Sequence, residues 1–179
     1  YAQSAMLQGV EVRKVPLADD FGLDTGGIMA AVDGNTKMVF VCSPNNPTAN
    51  LMDRDAVAGL CTALSGRALV VVDETYIDYA DADSMATELE RFENLVVLRT
   101  LSKSHAAAGL RCGVTVARAD VTELLQKVLA PYPVPQSVVQ AALAILTPAN
   151  QARLATRREE IIARRDAFAE QALATGPVK

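Results

Sequence analysis

The chain has 179 residues, of which 50% are apolar and 21% charged, with a formal net charge of −4. That length and apolar content can bury a core of ordinary domain size, and they exclude a disordered chain. The acidic balance argues against a general nucleic-acid binder, and the longest apolar runs are far too short to span a bilayer, so neither nucleic acid nor membrane is expected as a partner. Cys42, Cys61 and Cys112 form no C-x-x-C and are odd in number, and His105 is the sole histidine, so no disulfide framework and no metal site is expected. Reduced thiols and a start without a charged-then-apolar leader point to the cytoplasm.

Taken in chain order, Val10–Val15 and Met38–Cys42 read as strands, Asp53–Leu64 as a helix, and Ala68–Asp73 as a strand. Ser84–Glu90 follows as a helix, then Leu95–Thr100 and Cys112–Ala117 as strands, then Asp120–Val128, Ser137–Leu146 and Gln151–Ala174 as helices. Several strand candidates are continuous apolar runs, as in strands buried on both faces of a mainly parallel sheet. Alternating β and α elements give an α/β fold with three layers, α/β/α. In the last helix Leu154, Ile161 and Phe168 recur every seventh residue, the pattern of one buried stripe beside a charged face. Thr175 to Lys179 reads as a helix stop followed by the start of something further, which marks the chain as a piece of a longer protein.

Ligands of open α/β sheets bind at the carboxyl ends of the strands, so the segments after each strand matter most. After Cys42 comes Ser43-Pro44-Asn45-Asn46-Pro47-Thr48, either a bare turn or a turn that offers the Asn46 amide to a cleft. After Val72 comes Asp73-Glu74-Thr75-Tyr76. A carboxylate at the end of a buried strand needs donors or a cation, so Asp73 either caps the next turn or meets a cationic ligand group, with the Tyr76 hydroxyl in reach. After Arg99 comes Thr100-Leu101-Ser102-Lys103-Ser104-His105, then Gly109-Leu110-Arg111. No acidic residue lies between Asn94 and Ala117, so hydroxyls, Lys103 and Arg111 form either a solvated basic loop or a phosphate site. A lysine in apolar surroundings tends to lose its proton and becomes a nucleophile toward aldehydes. A phosphate clamp, such a lysine, a carboxylate and donors for a phenolic oxygen together suit pyridoxal 5'-phosphate.

Four stretches carry a family resemblance: CSPNNPT (42–48), VVVDETYIDY (70–79), VLRTLSKSHAAAGLRCGVTVA (97–117) and KVLAPYP (127–133). They resemble fold-type-I aminotransferases, and the last two resemble the histidinol-phosphate branch in particular. The resemblance implies that Lys103 is the catalytic Schiff-base lysine and that Asp73 pairs with the protonated pyridine nitrogen. It implies that Asn46 and Tyr76 hydrogen-bond the phenolic oxygen, and that Thr100, Ser102 and Arg111 hold the cofactor phosphate. It further implies a homodimer that transfers an amino group from L-histidinol phosphate to 2-oxoglutarate, giving imidazole-acetol phosphate and glutamate. On this reading 1–147 is a partial cofactor-binding large domain, and 148–179 is a long helix leading toward a C-terminal small domain. The family's upstream segment and small domain would lie outside the chain, so the chain alone is expected to be inactive.

Two departures stand out. Ala49 occupies the place where the family's turn has Gly, and His105 stands where the family has an aromatic such as Phe, whose packing role it is expected to take. Competing readings are an aromatic aminotransferase, a threonine-phosphate decarboxylase, or a non-catalytic domain of the same fold. Neither G-x-x-x-x-G-K-[ST] nor G-x-G-x-x-G is present, which argues against a P-loop or nicotinamide-binding domain.

Overall fold

The computed structural model describes residues 1–176. Two short helices come first, α1 (Ala2–Leu7) and α2 (Thr25–Ala31), the second capped by Asp24, whose side chain accepts from the Gly27 amide. Strand β1 (Met38–Cys42) leads through helix α3 (Arg54–Ala63) to β2 (Leu69–Asp73), then β3 (Leu95–Thr100) and β4 (Gly113–Ala117). Helices α4 (Ala119–Val128), α5 (Gln136–Ile145) and α6 (Pro148–Ala174) close the chain. The four strands lie in the order β1-β2-β3-β4; the first three are mutually parallel and β4 is antiparallel to β3. The result is an α/β fold with a mixed, mainly parallel sheet.

Period-two alternation decides which side chains reach which face. Val41, Val70, Val72, Leu95 and Val97 turn toward α3 and form one core with its Val57, Leu60 and Cys61 and with Leu64 just beyond it. Asp53 caps α3 by accepting from the Ala56 amide, and this fixes where the helix starts. The Asn94 side-chain amide donates to the carbonyls of Cys61 and Ala68, both at 3.0 Å, and ties the end of α3 to the sheet. Val71 and Val96 point the other way and are also buried, which is why β2 and β3 read as continuous apolar runs. The register pairs Cys42 with Asp73 and Asp73 with Leu98, so Phe40, Cys42, Asp73, Leu98 and Thr100 share the face opposite α3.

Three expectations need correction. Val10–Val15 is not a strand. Among the described residues no strand runs beside it, Val10 and Val12 are exposed, and Arg13 instead bonds the Ala31 carbonyl at 2.9 Å and Asp33 at 2.8 Å. A strand needs a neighbour to satisfy its amides, and alternation alone does not provide one. Ser84–Glu90 shortens to a 3-10 turn over Met85–Glu88, because Ser84 caps the Ala86 amide while its own hydroxyl and the Met85 amide are both held by Glu74. The stripe on α6 is buried only at Leu154; Ile161 and Phe168 are 43% and 72% exposed. The helix packs against α5 and the 3-10 turn Ile77–Tyr79, with Arg165 donating to the Tyr79 carbonyl at 3.1 Å, but these contacts leave Ile161 and Phe168 exposed. Pro177, Val178 and Lys179, read as the start of something further, lie outside the described residues.

No helix among the described residues is long and apolar enough to cross a membrane. Leu60 is 2% exposed at the centre of the α3 core, so Leu60→Ala in the intact protein should cost about 2–5 kcal/mol. Urea unfolding followed by circular dichroism reads that loss, and Leu124→Ala, at an exposed site on α4, should shift stability by less than about 0.5 kcal/mol.

Candidate active site

The segment after β1 closes on itself. Asn45 donates from its side chain to Thr48 Oγ1 at 2.7 Å, Thr48 bonds the Asn50 side chain, and the Asn45 amide donates to the Asn50 carbonyl at 2.8 Å. Ser43 is buried and its Oγ accepts from the Met52 amide at 3.1 Å. The peptide bonds Ser43–Pro44 and Asn46–Pro47 are both cis. Asn46 stays exposed at the tip, its backbone amide directed at the Cys42 sulfur. Burial, with the Asp73 carboxylate across the strand pair, pushes the Cys42 thiol above its usual range. Ala49 has φ +62°, so the glycine-like conformation persists without glycine.

Adjacent acidic residues at the end of β2 serve opposite faces. Asp73 Oδ1 accepts from the Thr75 amide at 3.0 Å and the Thr75 hydroxyl at 2.6 Å. Its Oδ2 accepts from the Tyr1 hydroxyl at 2.5 Å, and the Tyr1 ring stacks on Phe40 with centroids 4.6 Å apart. Burial first, then the Asp73 carboxylate, drives the Tyr1 pKa strongly upward, so this hydroxyl keeps its proton and acts as a donor. Glu74 is 2% exposed and turns away, accepting from the Ser84 hydroxyl and the Met85 amide, each at 2.6 Å. Arg99 lies 3.6 Å from Glu74 and 2.6 Å from Asp78, so one cation from β3 serves two carboxylates from the β2 end.

The segment after β3 supplies donors. The Thr100 hydroxyl donates to Ser102 Oγ at 2.9 Å and accepts from the Ser102 amide at 3.1 Å, which leaves the Ser102 proton free for an acceptor. Lys103 is exposed, with Nζ 5.4 Å from the centroid of the Tyr76 ring, within cation–π range. Arg111 sits in the left-handed region at φ +50° and donates to the Ala108 carbonyl at 2.9 Å, with further guanidinium donors uncommitted to that bond.

The structure therefore joins Thr100 with Ser102 and Lys103 with Tyr76, and it sets Asp73 and Thr100 on one sheet face. Asn46 and Arg111 stand exposed nearby in the chain, without a direct bond to the others. This donor set fits pyridoxal phosphate: Asp73 Oδ2 already receives a protonated donor from an aromatic ring, as a pyridinium N–H would be received, and Ser102 and Arg111 hold unused donors for a phosphate. Sequence reasoning missed Glu74, Asp78, Arg99 and Ser104 as a connected set. Its signal was Arg99 itself, a cation in an otherwise apolar strand with no carboxylate nearby in sequence.

The family model described as "Aminotransferase class I and II" matches residues 1–176. The chain belongs to this family. Histidinol-phosphate aminotransferase of Vibrio cholerae is 50% identical to this aminotransferase-family chain over 153 residues, covering 86% of the chain and 44% of the relative. Histidinol-phosphate aminotransferase 1 of Pasteurella multocida is 45% identical over 168 residues, covering 94% and 48%. The structure of histidinol-phosphate aminotransferase from Sinorhizobium meliloti in complex with pyridoxal-5'-phosphate matches with a TM-score of 0.84 at 29% identity, over 98% of this chain and 48% of that one. The chain thus spans about half the length of the curated relatives it matches.

Two stability effects follow from the site's geometry. Ala49→Gly should stabilise the intact protein by about 1 kcal/mol, since only glycine adopts φ +62° without strain, and a raised thermal midpoint would register it. Glu74→Ala should destabilise by about 3 kcal/mol, because it strips buried donors and a cation of their common acceptor; a denaturant midpoint unchanged from the parent would contradict this.

Proposed function

We propose that the chain is the cofactor-anchoring part of a pyridoxal-phosphate-dependent aminotransferase. The reading extends to transfer of the amino group of L-histidinol phosphate to 2-oxoglutarate, giving imidazole-acetol phosphate and glutamate. The observation that carries it is the placement of Asp73 and Thr100 on one face at the sheet's carboxyl end, with Lys103 Nζ over Tyr76. The names and identity of the relatives support the choice of amino donor.

Pyridoxal phosphate, when bound, supplies the aldehyde that takes up the substrate amine and the electron-poor ring that accepts the electron pair released at the substrate carbon. Asp73 Oδ2 would accept from a ring N–H in place of the Tyr1 hydroxyl it accepts from in this structure, with Thr75 holding the other carboxylate oxygen. Asn46 and Tyr76 donate to a phenolic oxygen. Thr100, Ser102 and Arg111 would hold the cofactor phosphate, Arg111 with its planar fork. Lys103 Nζ would take up the proton released at the substrate carbon and give it back, a general base and then a general acid worth roughly 10²–10⁴ in rate. The reading includes a homodimer in the cytoplasm; the family resemblance supports the first, and the free thiols of Cys42, Cys61 and Cys112 fit the second.

The test uses the full-length protein. Added pyridoxal phosphate should give a visible absorption band, and borohydride reduction should place the label on the Lys103 peptide. Lys103→Ala should lose both and lower turnover of L-histidinol phosphate with 2-oxoglutarate by at least about 10². Labelling spread over surface lysines, or no band, would sink the cofactor assignment; a band without turnover of this pair would sink the substrate assignment alone.

A further inference from the structure

The residue after Lys103 is buried and hydrogen-bonded on both sides. Ser104 is 5% exposed. Its Oγ bonds Asp78 Oδ2 and lies 2.9 Å from His105 Nδ1. Counting protons assigns the directions. Asp78, a carboxylate paired with Arg99 through Oδ1, can only accept at Oδ2, so the single Ser104 proton goes to Asp78, and His105 is assigned the tautomer that donates to Ser104 through Nδ1–H. That leaves Nε2 as the ring atom outside the chain of bonds.

The partners of this chain belong to separate elements. Asp78 lies in the turn Ile77–Tyr79, directly after Tyr76, and Arg99 is on β3. The Ser104–Asp78 bond spans 26 residues and joins the turn that follows Tyr76 to the loop that holds Lys103. Within that loop Ala106 donates to the Lys103 carbonyl at 2.9 Å and Ala107 to the Leu101 carbonyl at 3.0 Å, with Ala106 at φ +53°, and the Leu101 amide reaches out to the Cys112 carbonyl at 3.2 Å. The Arg99–Asp78 pair ties the end of β3 to the turn after Tyr76, and the Ser104–Asp78 bond ties the part of the loop next to Lys103 to that same turn.

We propose that Ser104 and His105 are positioning residues that act through Asp78 to hold the Lys103 amine against Tyr76. The inference rests on the reading of Lys103 as the cofactor-binding lysine. Ser104 supplies the bond to the neighbouring turn. His105 keeps the Ser104 hydroxyl aimed at Asp78 by donating to its oxygen from the far side. An aromatic ring at position 105 can fill similar space but has no such donor.

The experiment compares Ser104→Ala, His105→Phe and His105→Asn with the unchanged full-length protein. The asparagine Nδ2 offers an N–H close to where His105 Nδ1 stands. Three quantities are read: the rate at which borohydride traps pyridoxal phosphate on the Lys103 peptide, kcat and KM separately, and the thermal midpoint. Ser104→Ala and His105→Phe should slow trapping at Lys103 and lower kcat by about 10-fold with KM little changed, since misplacing a reacting group costs rate more than binding. His105→Asn should restore most of both. Wild-type trapping and kcat in Ser104→Ala and His105→Phe would overturn the proposal, as would His105→Asn falling as far as His105→Phe. If Ser104→Ala does not fold, the His105 pair decides by the same readings. Failure of the unchanged protein to trap at Lys103 would instead overturn the functional reading on which the proposal rests.

Discussion

A carboxylate removed from water must be given back what water supplied, and at Glu74 the protein does so from three directions. A serine hydroxyl, a backbone amide and the Arg99 guanidinium converge on a side chain that solvent barely touches. The partners come from two parts of the chain, the Ser84–Met85 turn and strand β3. Ser84 and Met85 are thereby drawn into a tight turn, and Arg99 is drawn under the end of β2. Since Arg99 also meets Asp78, the same cation sets the 3-10 turn that follows Tyr76. The face of the sheet that never meets a cofactor therefore determines the shape of the face proposed to meet one.

The division depends on the pleat. Asp73 ends β2 facing Phe40 and Thr100, whereas Glu74, one residue on, is directed to the side of α3. Two carboxylates adjacent in sequence thus serve unrelated purposes. One is left accessible to a donor from outside the sheet, and the other is consumed by structure.

How much of this was readable in the sequence differs by element. Strands β2 and β3 were legible because their apolar runs are buried in the sheet, and β1 and β4, which are far more exposed, because they too are short runs rich in β-branched residues. Val10–Val15 misled because alternation records one wet and one dry face, but whether a strand forms depends on a partner that the segment itself does not encode. Ile161 and Phe168 misled for a related reason: periodicity marks a face able to be buried, and what lies against it is a tertiary matter. Helix α2, with two glycines in its first turn, carries little helical signal beyond the Asp24 cap. In the candidate site, the sequence reading placed Asp73, Thr100, Ser102 and Lys103 at or just after strand ends, and that placement was legible because the apolar runs mark where β2 and β3 stop. The link from Ser104 to Asp78 was not, since a bond between residues far apart in sequence leaves no trace in either segment alone. His105 was expected to serve as a packing ring, and its Nδ1 bond to Ser104 shows a polar role that composition could not reveal.

The order of the strands in space is also their order along the chain. Each strand therefore finds its neighbour already made when it leaves the ribosome: β2 beside β1, β3 beside β2, β4 beside β3. Among the four described strands, neighbours in space are neighbours in sequence, and none of these four has to be inserted between two others of the set. Loop-closure entropy is then met in small increments, and the exposed edge at any moment is the one the next segment covers. A topology of this kind lets vectorial synthesis proceed by accretion, with Lys103 arriving only after the Asp73 and Tyr76 side of its surroundings has been laid down.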